Sequence, residues 1–230
     1  MSIAGESASH ISTIQTGNLR ELVRRALEAA LVAGELQPGE IYSAPGLAER
    51  FGVSATPVRE AMLDLVKDGF VKVVRNKGFR VVAMSELDLD RISEIRLLLE
   101  VPSTVRAAKL LTPEVTASLA RLADEIERAA SQGDLIRYLD ADRRFHVELI
   151  ALLDNPPLTD LVDRLRRQTR LFGLDALVKS GRLVASAQEH HTLLATLQSG
   201  DAAATRGLIS AHIEHVRGVW AGREEHHPQT

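Results

Sequence analysis

The sequence predicts a mainly α protein in two parts, a small unit that ends in a basic β-hairpin and then an all-helical bundle. Three observations predict it. Aromatic residues make up only 3% of the chain while Leu, Ala and Arg are plentiful, a balance that favours helices. Strand signals gather in one segment, "FVKVVRNKGFRVVAM", where β-branched Val71, Val73 and Val81 flank an "RNKG" turn. After Met84 the apolar residues recur at spacings of three and four, segment after segment, as far as Trp220.

The elements follow in order. "LRELVRRALEAALVAGEL", from Leu19, is an amphipathic helix with Gly34 placed as its C-cap, and "LQPGE" is a turn. A short helix from Pro45 to Phe51 then reaches a turn at Gly52. A second opens near Ser54 or Thr56, either of which can cap it, and Pro57 suits the first turn because its missing N–H had no helical partner. Two short helices joined by a tight Gly turn are the sequence form of a helix-turn-helix. The hairpin after it is basic, with Lys72, Arg75, Lys77 and Arg80 and no acid between Phe70 and Val82. Helix, helix, helix, basic hairpin is the order of a winged helix.

Ser85, followed by acids, is the N-cap of the first bundle helix. Six helical segments are expected, at roughly 86–110, 113–131, 134–153, 158–177, 181–199 and 202–220, divided by "LTPE", "SQGD", "DNPP", "KSG" and "QSGD". The expected organisation is a disordered tail over 1–17, a winged helix-turn-helix over 18–84, an all-α bundle over 85–222 and a frayed tail over 223–230. His226 and His227 fall in that last tail and are read as tail residues rather than ligands.

Composition excludes several classes. A formal net charge of -3 argues against a protein that coats nucleic acid non-specifically, though not against a local basic patch. With no cysteine there is no disulfide and no thiolate metal site, which fits a reducing cytoplasm. No apolar run approaches the roughly 18 residues of a membrane span. "MSIAGESASHISTIQTG" lacks the basic and apolar regions of a signal peptide. A cytoplasmic protein with no membrane partner is expected.

The second helix of a helix-turn-helix enters the major groove of duplex DNA and contacts bases with its N-terminal residues. Those residues here are Ser54, Ala55, Thr56 and Arg59. Arg59 has the fork to meet a guanine edge or a phosphate, and Ser54 and Thr56 can donate to phosphates. Arg75 and its basic neighbours in the wing can reach the backbone or minor groove. The structural alternative is that Arg59 pairs with Glu60 or Asp64 on a solvated face. "LAERFGVSATPVREAMLDLVKDGFVKVVRNKGFRV" resembles the winged-helix domain of GntR-family transcription regulators. The resemblance implies double-stranded operator DNA as partner and carries Thr56 and Arg59 over as DNA contacts, with Lys77 and Gly78 at the wing tip. In one place the chain departs from the pattern: Ala55 stands where the family has an arginine that is a main DNA contact.

A second oddity lies in the bundle. Leu135, Leu139, Asp142, His146, Leu149 and Leu153 share one helix face, so a carboxylate and an imidazole lie on a core-facing stripe. His190 repeats this on the stripe of Leu183, Ala187, Leu194 and Leu197, and His212 on that of Thr205, Leu208, His215 and Val219. A lone buried histidine is ordinarily a hydrogen-bonded core residue. An acid plus three imidazoles is another matter, because burying a carboxylate costs several kcal/mol unless it is paired or metal-bound. One divalent cation would satisfy all four groups. Carboxylate and imidazole without thiolate suit zinc first, with nickel, manganese or iron(II) as alternatives.

"RFHVELIALLDNPPL" and "EHHTLLATLQSGDAAATRGLISAHI" resemble the FCD ligand-binding domain of the FadR subgroup of GntR regulators. In its metal-binding members an Asp-x-x-x-His pair and two later histidines hold a divalent metal. Alignment on the glutamate before the histidine selects His190 over His191, and the pattern selects His212 over His215. Members that bind fatty acyl thioesters lack this set. The resemblance further implies a homodimer, a small carboxylate effector beside the metal, and an arginine clamp, for which Arg96 matches a recurrent family arginine. The structural alternative for Arg96 is an ion pair with Glu100 one turn on. A repressor of this kind is the expected function, not an enzyme. The other readings are a pure metal sensor, a purely structural metal, or an enzyme using Glu148 or His191 as base.

Overall fold

The computed structural model describes residues 16–170 and 181–220. Its first part begins with α1 (Thr16–Val32), followed by a two-residue strand β1 (Ile41–Tyr42), α2 (Ala44–Phe51) and α3 (Ala55–Lys67). Strands β2 (Val71–Val74) and β3 (Gly78–Val81) form the hairpin, and β1 pairs antiparallel with β3 to give the sheet order β1-β3-β2. Strand β1 was not expected, because two residues are too short to show an alternating pattern.

Local chemistry explains these bounds. The Ser43 hydroxyl accepts from the Gly46 N–H and caps α2, whose end is fixed by Gly52 in the left-handed region at φ 66°. Ser54 occupies the N-cap position of α3 without a side-chain cap bond, which leaves its hydroxyl uncommitted to the helix. In the wing, Asn76 at φ 60° turns the chain and Gly78 at φ 129° starts β3. A Cβ at Gly78 would collide with the Tyr42 carbonyl, so the approach of β1 requires glycine there. Leu27, Leu47, Val58, Met62, Leu65, Phe70 and Phe79 form a core inside this part.

The bundle comprises α4 (Glu86–Ala107), a 3-10 turn over Ala108–Leu110, α5 (Pro113–Gln132), α6 (Leu135–Ala151), α7 (Pro156–Arg170), α8 (Leu183–Ser199) and α9 (Ala202–Trp220). Each helix lies where its segment was expected; the continuation of α7 to residue 177 falls outside the described residues, as do the tails at 1–15 and 221–230. Ser85 and Asp88 form a capping box at the start of α4. α5 packs on α6 and α8, and α4 packs on α7 and α9, around a core of Leu119, Leu122, Ile126, Phe145, Leu149, Leu194 and Ile209. The apolar stripes of α6, α8 and α9 therefore converge, and so do the polar residues set within them.

Candidate metal centre and nucleic-acid interface

Asp142, His146, His190 and His212 meet in the middle of the bundle. All four are buried, and one ligand atom from each lies within 4.8 Å of those of the others. A cation bonded at about 2.0–2.1 Å in the tetrahedral arrangement usual for zinc holds its ligand atoms about 3.4 Å apart, so the most distant pair must draw in by about 1.4 Å or less. The rings of His146, His190 and His212 contact one another at 4.9–5.2 Å between centroids, and Phe145 packs edge-on against His146 and His190.

Hydrogen bonds outside the cluster set the ring orientations. Nδ1 of His190 donates to the Ala187 carbonyl at 3.0 Å, and Nδ1 of His212 donates to the Glu189 carboxylate at 2.7 Å. Both bonds place the proton on Nδ1 and turn the Nε2 lone pair inward. Nε2 of His190 stands 3.2 Å from Asp142 Oδ1. Nε2 of His146 and of His212 is buried without a hydrogen-bond partner, and such an atom calls for a ligand or ion. Burial, aided by the Arg166 charge, holds the His146 imidazole well below its ordinary range. Burial likewise outweighs the Glu189 carboxylate and takes His212 down to about 4. The His146 and His212 rings are therefore neutral at pH 7 and able to coordinate, and the donor set fits a divalent cation.

Beside the cluster lies a buried ionic group, of which the sequence offered the Arg96–Glu100 pair but not Arg166. Arg96 donates from Nε to Glu100 at 2.6 Å, and from Nη1 to the Thr169 hydroxyl at 3.4 Å. Arg166 donates through Nε at 2.8 Å, and through Nη2, to the other oxygen of Glu100. Its Nη1 stands 3.4 Å from Asp142 Oδ2. Burial pushes the Glu100 carboxyl up, but Arg166 and Arg96 together outweigh this and hold it below its usual range. Arg96 thus does form the Glu100 pair, yet at 2% exposure it is no solvated surface bridge. Among the described contacts it is Arg166, not Arg96, whose guanidinium meets a residue of the cluster. Arg143 and Arg144 leave the stripe and pair with Asp163, Asp140 and Glu125.

At the other end, Ser54, Thr56 and Arg59 are exposed on the first turns of α3, and Arg75 and Lys77 are exposed at the wing. Gly78 is half-buried against β1. Asp64 is engaged by Arg20 and by Lys67 at 3.1 Å, and among the described residues no ion pair involves Arg59. Lys72 and Arg80 add to the exposed basic face of the hairpin.

Residues 19–81 match the family of bacterial regulatory proteins described as the gntR family, and residues 91–215 match the FCD domain. The chain is a GntR-family regulator with an FCD domain. It is 31% identical over 190 residues to the HTH-type transcriptional regulator McbR of Escherichia coli K12, covering 82% of this chain and 86% of that one. The solved structure of E. coli McbR/YncC superposes with a TM-score of 0.72 at 28% identity, covering 88% of this chain and 97% of that chain. The HTH-type transcriptional repressor RspR of the same strain is 24% identical over 204 residues, covering 87% of this chain and 88% of that one. This GntR-family protein is a DNA-binding transcription regulator, and its family and relatives are regulators rather than enzymes. No described helix is long and apolar enough to cross a membrane.

Proposed function

We propose that this GntR regulator is a cytoplasmic repressor of the FadR subgroup whose operator affinity is set by a small organic acid bound at a divalent metal in the FCD bundle. The observation that carries the reading is the pair of buried, partnerless Nε2 atoms of His146 and His212, facing Asp142 and His190. Asp142, His146, His190 and His212 are the ligands, with zinc the first choice and nickel, manganese or iron(II) the alternatives. The metal supplies a Lewis-acidic position for an acid's carboxylate. Arg166 is placed to clamp that carboxylate, with Arg96 behind it through Glu100.

Ser54, Thr56, Arg59, Arg75, Lys77 and Gly78 form the operator-facing surface, divided from the bundle between Met84 and Glu86. The resemblance of FCD regulators supports a homodimer, and exposed Leu87, Ile95 and Leu98 on one side of α4 offer it an apolar surface. Relatives named as repressors, RspR and GlaR of E. coli K12, support repression.

Metal analysis and native mass spectrometry of the purified protein test the site: about one divalent ion per chain is expected, lost in Asp142→Ala. Gel shifts on a duplex selected from a random pool then compare metal alone with metal plus a panel of hydroxy- and dicarboxylic acids. Weakening by an acid only in the metal-loaded protein supports the reading; a response to metal alone makes the protein a metal sensor. Arg59→Ala is expected to weaken operator binding and leave metal content unchanged.

A further inference from the structure

Helix α7 carries ionic contacts on two sides. Arg166 turns inward to Glu100 and Asp142, whereas the next residue, Arg167, turns toward the DNA-binding part. Its Nη1 meets Asp68 Oδ2 at 3.2 Å, and its Nε and Nη2 hold Asp163 at 3.0 and 2.9 Å. Asp163 also accepts from Arg143 Nη1 at 2.8 Å. Arg143 in turn is the neighbour of Asp142 on α6. Each of these four side chains is at most 27% exposed, which shields their charges from water and from salt.

Asp68 is the C-cap residue of α3, the helix whose first turns face DNA. A second contact reinforces the junction. Gln168 lies so close to Gly69 that a Cβ there would come within 2.5 Å of its Nε2. Consecutive residues of α7 thus abut consecutive residues at the end of α3. A cavity of about 530 Å³ opens alongside, bordered by Arg24, Glu28, Phe70, Arg137, Asp140 and Arg167, and leaves room for the two parts to shift.

The inner contact is the slack one. At 3.4 Å, Arg166 Nη1 is well beyond the roughly 2.7–2.9 Å of a charge-assisted bond to Asp142. A cation that engages Asp142, whether at Oδ1 beside His190 or at Oδ2 beside Arg166, draws charge from that carboxylate and so alters its contact with the guanidinium. Arg166 and Arg167 are consecutive residues of one packed helix, so a displacement of that helix at Arg166 carries Arg167 with it.

We infer that α7 is the element coupling the metal site to the DNA-reading helix, with Arg167 and Asp68 as the joint. This rests on the metal reading above and adds the route by which occupancy is transmitted. Hydrogen exchange of the full-length protein, stripped with chelator and then given Zn2+ alone, tests it. In the wild type, Zn2+ is expected to slow exchange in α6, α8 and α9 and to change it by about five-fold or more across residues 62–70, the lower end of ordinary allosteric coupling. Arg167→Gln and Asp68→Asn are each expected to keep the first response and lose the second. The charge swap Asp68→Arg with Arg167→Asp is expected to restore it, which a merely destabilising substitution would not allow. An undiminished response at residues 62–70 in both single variants, or a wild type that responds in α6, α8 and α9 but not at 62–70, overturns the coupling. No response anywhere in the wild type overturns the metal reading, and the coupling with it.

Discussion

Glu189 on α8 accepts a 2.7 Å hydrogen bond from Nδ1 of His212 on α9, so a carboxylate outside the cluster fixes a ring that faces into it. Loss of such an outer partner ordinarily lowers metal affinity by about 10–100-fold. Glu189→Gln is therefore expected to weaken Zn2+ binding by that amount in chelator competition, with the metal-free protein's circular dichroism and melting temperature unchanged. Equal Zn2+ affinity in the two proteins would show that Glu189 does not orient the ring.

Glu100 is the shared partner of two buried guanidiniums. Removing one side of a buried pair costs about 3–5 kcal/mol, because the remaining charge stays desolvated. Glu100→Ala is expected to lower urea-unfolding stability by that order. Glu125→Ala, which breaks the half-exposed pair with Arg137, is expected to lower it by about 1 kcal/mol or less. Similar losses in the two variants would contradict the burial of the ionic group.

Gly78 combines positive φ with a close approach to the Tyr42 carbonyl. Gly78→Ala is expected to destabilise the winged helix by about 1–3 kcal/mol. Gly133 also has positive φ, at 68°, but open space around it. Gly133→Ala is expected to cost only the left-handed backbone penalty of about 1–2 kcal/mol. The two denaturation curves measure the contribution of the β1 contact directly.

Burial raises the Asp163 carboxyl, but Arg143 and Arg167 outweigh it and hold the group below its ordinary 3.8. A folded pKa below the unfolded one stabilises the protein fully above that unfolded value, and the gain disappears as pH falls through the folded value. Melting temperatures of wild type and Asp163→Asn are expected to differ at pH 6 and to converge toward pH 2–3. A constant difference across that range would rule out the ion pairs as its source.

Much of the fold and all four cluster residues were legible because helical periodicity marks a face before it marks a partner. Asp142, His146, His190 and His212 stood out as polar residues on otherwise apolar stripes. Glu100 and Arg166 gave no such signal. The buried side of α4 is mixed, with Arg96, Glu100, Ser103 and Thr104 among Leu89, Val101 and Ala107, so no continuous apolar stripe exists there for a charge to interrupt. Arg166 sits in "RLRRQTR", where a run of arginines reads as a solvated face. Only the packing of α7 on α4 selects Arg166 for burial. Strand β1 escaped for a simpler reason: two residues carry no period.

The buried ionic group has a consequence in electroneutrality. Among the described residues the buried carboxylates Asp142 and Glu100 are matched by the buried guanidiniums Arg96 and Arg166, and burial keeps the His146 and His212 imidazoles uncharged at pH 7. A dication entering this balanced interior brings two charges with it, of which Glu189, partly exposed at the edge, offsets one. Among the described residues no further buried carboxylate offsets the remainder, in a region where unpaired charge is expensive. An anion following the metal would restore the balance, and by linkage each would then raise the other's affinity by the same factor.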